Sequence, residues 1–74
     1  MGINIDWHAI KQFGKNLKEI REQQKLTQEI VAKSAGITTS YYARIERGEE
    51  NPTFAVMYNI CKGLNIKSSE SLPF

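Results

Sequence analysis

Three consecutive hydroxyl side chains and two arginines form the stretch of this sequence best suited to making specific hydrogen bonds. Thr38, Thr39 and Ser40 are adjacent, Arg44 follows Ser40 by four residues, and Arg47 follows by three more. Residues four apart lie on one face of a helix, so Ser40 and Arg44 are expected to be neighbours. Arginine pairs with guanine through two N–H groups, and hydroxyls donate to or accept from bases. The candidate chemistry is therefore hydrogen bonding to nucleic acid.

Residues that could catalyse a reaction or hold a metal are few. The single histidine, His8, is far in sequence from the single cysteine, Cys61. Helical spacing places Cys61 on an apolar stripe, where a cysteine acts as a small hydrophobic side chain. One cysteine allows neither an internal disulfide framework nor a structural zinc site. With no glycine-rich phosphate loop, the sequence indicates no enzyme, no metal and no cofactor.

The composition limits other classes of function. The chain has 74 residues and a net charge of +2, which fits a single domain over residues 1–74. This charge permits nucleic-acid binding without demanding it. No apolar run reaches the roughly 18 residues that span a bilayer, so a membrane is not an expected partner. The lack of disulfides favours a reducing cytoplasm, and no small-molecule ligand is indicated.

Helical periodicity and capping residues divide the chain into short helices. Apolar residues recur every three or four positions from Trp7 to Ile20, as the inward face of a helix over about 7–24. Side-chain oxygens suited to capping a helix stand at four places: Asp6, Thr27, Thr38 and Thr53. Helix 2 then runs from Thr27 to Gly36, helix 3 from Thr38 to about Arg47, helix 4 over about 54–64, and a last turn over 68–72.

The spacing also predicts which residues of these helices face inward. Gly14 in the middle of helix 1 costs about 1 kcal/mol relative to alanine, so close packing against another element is expected there. The residues of helix 4 expected to face inward are Phe54, Met57, Ile60, Cys61 and Leu64. Because the sequence has no β pattern, the fold is expected to be all-α.

The segment from Thr27 to Arg47 meets the steric requirements of a helix-turn-helix. Two helices that cross at roughly 90–120° over a turn of three to four residues leave little room where they touch. Ala32 is small enough for that contact, and Gly36 readily adopts the positive φ that the turn requires. The inner faces are apolar, through Val31, Ala35, Ile37, Tyr42 and Ile45. A central helix-turn-helix at about 27–47 is therefore predicted.

Three strings of the sequence resemble the Xre/Cro family of phage-repressor-like helix-turn-helix proteins. They are FGKNLKEIREQQKLTQE, VAKSAGIT and YYARIERGEENPT, and the resemblance extends over about residues 13–72. It implies a compact five-helix, lambda-repressor-like DNA-binding domain that acts as a sequence-specific transcriptional regulator. Controller proteins of restriction-modification systems look most similar, and small phage or plasmid repressors are nearly as close.

The resemblance also implies a role for each exposed polar residue of the central segment. Helix 3 would enter the major groove of double-stranded DNA with Thr39, Ser40 and Arg44 against the bases. The residues expected to contact phosphate are Gln28, Thr38, Tyr41, Arg47 and Asn51. Simpler roles stay open for some of them: Thr38 as a helix cap, Ser40 as an ordinary exposed residue, and Arg47 as a partner of the helix dipole.

A buried ion pair between Arg21 and Glu46 is the structural feature that the resemblance implies. It would hold helix 3 against helix 1, and removing one partner of such a pair costs about 3–5 kcal/mol. The pairing would also leave the two arginines of helix 3 free to face DNA. Glu49 and Glu50 stand where the family often has basic residues, and they would repel phosphate if they faced it.

A homodimer on palindromic DNA is expected, because one recognition helix covers too little DNA for tight specific binding. Two half-sites would then lie about 34 Å apart, one helical turn of DNA. The candidate dimer interface is Tyr58, Ile66, Leu72 and Phe74, although these residues could instead close the core. The alternative function is an antitoxin-type protein-interaction module with secondary DNA binding, whose members usually carry an added tail. The sequence does not distinguish activation from repression.

Overall fold

Residues 4–65 are described by the computed structural model, and they fold into four α-helices with no strand among them. The helices are α1 (Trp7–Gln23), α2 (Gln28–Ala35), α3 (Thr39–Glu46) and α4 (Phe54–Gly63). These bounds agree with the four main helices predicted from the periodicity. The fifth helical turn, predicted over 68–72, lies outside the described residues. None of the described helices is both long and apolar enough to cross a membrane.

Each helix begins where its capping residue predicts. Asp6, Thr27, Thr38 and Thr53 each accept a hydrogen bond from the backbone N–H three residues further on, at 3.1, 3.1, 3.1 and 3.2 Å respectively. These bonds satisfy N–H groups that the first turn of a helix leaves without an intrahelical partner. Because each contact spans only three residues, the local sequence is enough to predict it.

The turn between α2 and α3 is built around Gly36. Its φ is 75°, and its N–H bonds to the carbonyls of Ala32 and Lys33. The N–H of Ile37 bonds to the Ala32 carbonyl at 3.0 Å, which completes the end of the helix. A side chain at this φ would be strained, so glycine ends α2 and lets the chain turn into α3.

The core lies between the helices, with α2 in contact with both α3 and α4, and with α1 packed on α3. The largest fully buried side chains are Leu17, Val31, Tyr42, Ile45, Ile60 and Leu64. At Gly14 the backbone of α3 lies directly against α1. A Cβ added there would lie 2.3 Å from the Ile45 carbonyl oxygen and 2.6 Å from the Glu46 carbonyl oxygen. The close packing predicted at Gly14 is therefore confirmed.

Two aromatic residues predicted to face the core are exposed instead. Phe54 is 74% exposed and Trp7 is 47% exposed. Phe54 has the correct angular position, because seven residues, or about two turns, separate it from the buried Cys61. However, Phe54 and Trp7 are each the first residue of their helix. They lie beyond the end of the core, and helical spacing does not report how far a core extends.

Candidate nucleic-acid interface

A buried carboxylate at the end of α3 connects three helices. Arg21 of α1 donates from Nε to Glu46 Oε2 at 2.6 Å and from Nη2 to Oε1 at 3.1 Å. Gln28 of α2 donates from Nε2 to the same Oε1 at 2.9 Å. The side chains of Glu46 and Arg21 are only 2% and 11% exposed. The structure thus contains the predicted Arg21–Glu46 pair and extends it to α2.

Hydrogen bonding keeps this carboxylate ionised. Burial by itself raises the pKa of Glu46, but the donors of Arg21 and Gln28 and the nearby Tyr42 hydroxyl outweigh burial and lower the pKa below its ordinary value. The hydrogen bond to Glu46 raises the pKa of Arg21, against the opposing effect of burial. Arg21 also donates from Nη1 to the Leu26 carbonyl at 2.8 Å. Both members of the pair are therefore charged at neutral pH.

The Tyr42 hydroxyl lies beside this pair without completing it. Tyr42 is fully buried, and its Oη has no hydrogen-bond partner of acceptable geometry among the residues from 4 to 65. Burial raises the pKa of Tyr42, and the neighbouring Glu46 carboxylate raises it further. Tyr42 is among the largest fully buried side chains, so its ring fills the core beside the ion pair.

The first turn of α3 presents three hydroxyls to solvent. Thr38, Thr39 and Ser40 are all exposed. The Thr38 hydroxyl accepts from the Tyr41 N–H at 3.1 Å, so the capping role is present. A hydroxyl that accepts one hydrogen bond can still donate another, so capping does not exclude a contact with phosphate.

The structure corrects the expectation that Arg44 is free. Its Nε donates to Glu50 Oε1 at 2.9 Å, and its Nη1 donates to Ser40 Oγ at 3.0 Å. The guanidinium carbon lies 5.9 Å from the centre of the Tyr41 ring, which is within cation–π range. The side chains of Arg44 and Glu50 are 39% and 34% exposed. Arg44 is therefore held in place while part of it still faces solvent.

Arg47 is also paired rather than free. Its Nε donates to Glu49 Oε2 at 3.0 Å and its Nη2 to Oε1 at 3.2 Å, and the two side chains are 56% and 53% exposed. This hydrogen bonding raises the pKa of Arg47 and lowers the pKa of Glu49. The two acids expected to repel phosphate are thus intramolecular partners of two arginines.

Sequence reasoning missed this pairing of acids with arginines. The signal available in the sequence was a glycine at the end of helix 3, Gly48, followed by two consecutive acids. In the structure Gly48 has a φ of 74°. A left-handed glycine turns the chain sharply at the end of a helix. The next residues are then brought back toward the last turn of that helix, where the arginines lie.

The remaining residues predicted to contact phosphate differ in what they offer. Gln28 is half-buried and its side-chain amide is bonded to Glu46, so its backbone N–H at the start of α2 is the group that could meet an anion. Tyr41 is half-buried against the core. Asn51 is exposed in the loop that follows Glu50.

One face of α4 exposes two aromatic side chains. Tyr58 is 57% exposed and Phe54 is 74% exposed, and residues four apart share one face of a helix. The other predicted interface residues, Ile66, Leu72 and Phe74, lie outside the described residues. Because Phe54 was assigned to the core, its contribution to this surface was missed.

The residues that could do other chemistry are accounted for by packing or exposure. Cys61 is 5% exposed and lies in the core, whereas His8 is exposed on α1. Between residues 4 and 65 no three side chains of the His, Cys, Asp or Glu type come together to hold a metal ion.

The fold and the sequence together define the class of protein. Residues 17–71 match the helix-turn-helix family, so the chain belongs to it. This agrees with the resemblance to Xre/Cro proteins, and relatives in the family are DNA-binding transcriptional regulators.

Two relatives and one solved structure show how similar this chain is to known proteins. The chain is 33% identical over 60 residues to an uncharacterised HTH-type transcriptional regulator, y4dJ, of Sinorhizobium fredii, covering 81% of this chain and 78% of that protein. It is 38% identical over 56 residues to the immunity repressor protein of Bacillus phage phi105, covering 76% of this chain but only 39% of the repressor. A similar solved structure is the restriction-modification controller protein C.AhdI from Aeromonas hydrophila. Its TM-score is 0.84 at 29% identity, over 88% of this chain and 98% of that chain.

Proposed function

We propose that this chain is a sequence-specific transcriptional regulator that binds palindromic operator DNA as a homodimer. In this proposal α3 enters the major groove with Thr39, Ser40 and Arg44 against the base edges. The observation that carries it is the exposed polar face of α3 within a helix-turn-helix. An α-helix with its side chains is about 10–12 Å in diameter, so α3 fits the major groove, which is about 12 Å wide.

The relatives support a regulatory role at an operator. One is a phage immunity repressor and another is a restriction-modification controller protein. The controller protein is similar to this chain over 98% of its own length, so a domain of this size and fold is sufficient for such a protein. The genes regulated, and whether they are activated or repressed, depend on where the operator lies.

The three proposed base contacts differ in the information they carry. Arg44 offers paired N–H groups that match the O6 and N7 acceptors of guanine. Thr39 can place its methyl group against the methyl of thymine, while its hydroxyl donates or accepts. Ser40 already bonds to Arg44 at 3.0 Å, so it would act on the bases partly by orienting that guanidinium.

Phosphate contacts would come from residues at the edge of this face. The groups available are the Thr38 hydroxyl, the Gln28 backbone N–H, Tyr41, Arg47 and Asn51. Because Arg47 is paired with Glu49, the pair presents less net positive charge to DNA than an unpaired arginine would. The slope of log K against log salt is about −0.9 for each phosphate neutralised, so we expect a shallow salt dependence.

The dimer would use the exposed aromatic face of α4. Tyr58 and the neighbouring Phe54 supply the apolar surface there, and Ile66, Leu72 and Phe74 extend it in the prediction from sequence. Sedimentation of the full chain at micromolar concentration, with and without a palindromic duplex, tests this arrangement. A monomer under both conditions would contradict it.

Selection of bound sequences from a pool of random duplexes tests the proposed function itself. The expected result is an enriched site with two inverted half-sites whose centres lie about 34 Å apart. Recovery of unselected sequences, or no binding at all, would refute sequence-specific regulation by this chain.

Replacement of Arg44 tests the assignment of the base contact. Arg44→Ala is expected to weaken binding to the selected site by about 1–3 kcal/mol per half-site, or roughly 5- to 150-fold, because a bidentate base contact is lost. Lys18→Ala, which removes an equal charge from the exposed surface of α1, is the matched control and should change Kd less than twofold. Equal losses on selected and scrambled DNA would show that Arg44 contacts phosphate instead.

A further inference from the structure

Arg44 is held on two sides before any DNA is bound. Glu50 Oε1 accepts from its Nε at 2.9 Å, and Ser40 Oγ accepts from its Nη1 at 3.0 Å. A guanidinium carries five N–H donors, and these bonds use two of them. Three donors remain, two on Nη2 and one on Nη1. A bidentate contact with the O6 and N7 acceptors of guanine needs two neighbouring N–H groups, which the two terminal nitrogens can supply.

We propose that Glu50 is a specificity-determining residue, which positions Arg44 for base recognition and suppresses its use as a phosphate contact. This inference rests on the proposed function. A flexible arginine must lose rotamer freedom when it docks on a base, and a side chain held in advance loses less. Two residues supply that constraint from two directions. Glu50 lies in the loop after α3, and Ser40 lies one turn before Arg44 in α3.

The charge of Glu50 also affects phosphate contacts and base contacts to different extents. Attraction to phosphate depends on net positive charge and is independent of sequence. Hydrogen bonding to the neutral O6 and N7 acceptors of guanine depends on donor geometry. A carboxylate at 2.9 Å from Arg44 cancels most of the charge that a phosphate would feel but leaves the outer N–H donors in place. Glu50 therefore lowers affinity for arbitrary DNA more than affinity for the correct site.

Glu49 offers a matched control within the same loop. It is also a glutamate paired with an arginine of the α3 end, but the Glu49 and Arg47 side chains are each more than half exposed. The Glu49 backbone N–H bonds to the Arg44 carbonyl at 2.9 Å, and a change of the Glu49 side chain preserves that bond. The Glu49 carboxylate itself is hydrogen-bonded to Arg47, whereas the Glu50 carboxylate accepts directly from Arg44, which in turn contacts Ser40 and Tyr41. Replacing either acid with glutamine removes one negative charge, so general electrostatics affects both variants alike.

The experiment compares E50Q, E50A and E49Q in the full chain, using the selected site and a scrambled duplex of equal length. For E50Q we expect scrambled-DNA affinity to rise about 3- to 10-fold, with a salt slope steeper by about one unit per subunit. Affinity for the selected site should rise less, so the specificity ratio falls. E49Q should raise both affinities by the same factor and leave the ratio unchanged.

A modified base reports the positioning role directly. Replacement of the contacted guanine by 7-deazaguanine removes the N7 acceptor, and wild-type affinity should fall about 10-fold. In E50A, which loses both the charge and the hydrogen bond to Arg44, the same replacement should cost less than half that factor. Circular dichroism should show unchanged helix content, because Glu50 lies outside the helices.

The outcomes separate the inference from the function on which it rests. If the wild-type chain does not distinguish the selected site from scrambled DNA, the proposed function fails. If the wild type discriminates but E50Q has the same specificity ratio as E49Q, the proposed function stands and only the role of Glu50 is overturned. An equal 7-deazaguanine effect in the wild type and E50A would also overturn it.

Discussion

Removal of the Glu46 carboxylate should destabilise the fold far more than removal of any exposed acid. Glu46→Ala deletes the acceptor of three hydrogen bonds, two from Arg21 and one from Gln28. The Arg21 guanidinium would stay in a site where its side chain is 11% exposed, with the Leu26 carbonyl as its remaining acceptor. An uncompensated buried charge is the reason for the expected loss.

The magnitude follows from the cost of a broken buried pair. Truncation of one partner costs about 3–5 kcal/mol, and domains have about 0.05–0.15 kcal/mol of stability per residue. For 74 residues this is about 4–11 kcal/mol, so the loss is a large fraction of the total. Each kcal/mol lowers the midpoint of a domain of this size by about 4–8 °C. We therefore expect the thermal midpoint to fall by at least about 12 °C.

Thermal and urea unfolding followed by far-ultraviolet circular dichroism measure this loss. Protein concentration must be held constant, because dimerisation makes the midpoint depend on it. Glu49→Ala is the matched control, since it removes a glutamate that is also paired with an arginine but is more than half exposed. Exposed ion pairs contribute little to stability, so the midpoint of Glu49→Ala should move by only a few degrees.

A double variant distinguishes a buried charge from lost packing. Arg21→Met combined with Glu46→Leu removes both charges and keeps apolar volume, and such replacements are often neutral or stabilising. The double variant should therefore recover most of the stability lost in Glu46→Ala. A fall of less than about 4 °C in Glu46→Ala, or no recovery in the double variant, would refute the reasoning.

Two further predictions follow from the same structure. The pKa of Glu46 is lower in the folded chain than in the unfolded chain. Its contribution to the free energy of unfolding is therefore fully present above the unfolded pKa, about 4.3, and is lost as pH falls through the lower folded pKa. Urea titrations from pH 7 to pH 2 should show this loss in the wild type and a flatter profile in Glu46→Gln; parallel profiles would contradict the linkage. Gly14→Ala should destabilise by about 1–3 kcal/mol, despite the higher helix propensity of alanine, because the new Cβ would overpack the backbone of Ile45. Gly63→Ala is its control, since the added Cβ would meet only the Ser34 side chain, which can rotate; equal losses in the two variants would argue against backbone crowding at Gly14.

The buried pair also connects stability to the proposed function. Arg21, Gln28 and Glu46 belong to α1, α2 and α3 respectively, so their hydrogen bonds set the position of α3 relative to two other helices. Sites held by packed and hydrogen-bonded supporting residues keep the geometry that recognition requires. Loss of Glu46 should therefore weaken specific DNA binding through misplacement of α3.

Features that depend on neighbours in sequence were predictable from the sequence. The four helix caps, the left-handed Gly36 and the bounds of the helices depend on contacts within three or four residues, so each segment carries its own signal. The Arg21–Glu46 pair, although 25 residues apart, was predicted through a family resemblance rather than from local chemistry. The sequence alone therefore determined the all-α helix-turn-helix and the polar face of α3.

Tertiary structure decided which polar groups of that face have partners. The side chain of Gln28 is bonded to Glu46, and Arg44 is held by Glu50. Tertiary structure also decided that Phe54 of α4 lies beyond the end of the core. Periodicity reports the direction in which a side chain leaves its helix. It does not report how far the core extends or which distant acceptor comes within hydrogen-bonding distance, because these depend on how helices and loops pack in three dimensions.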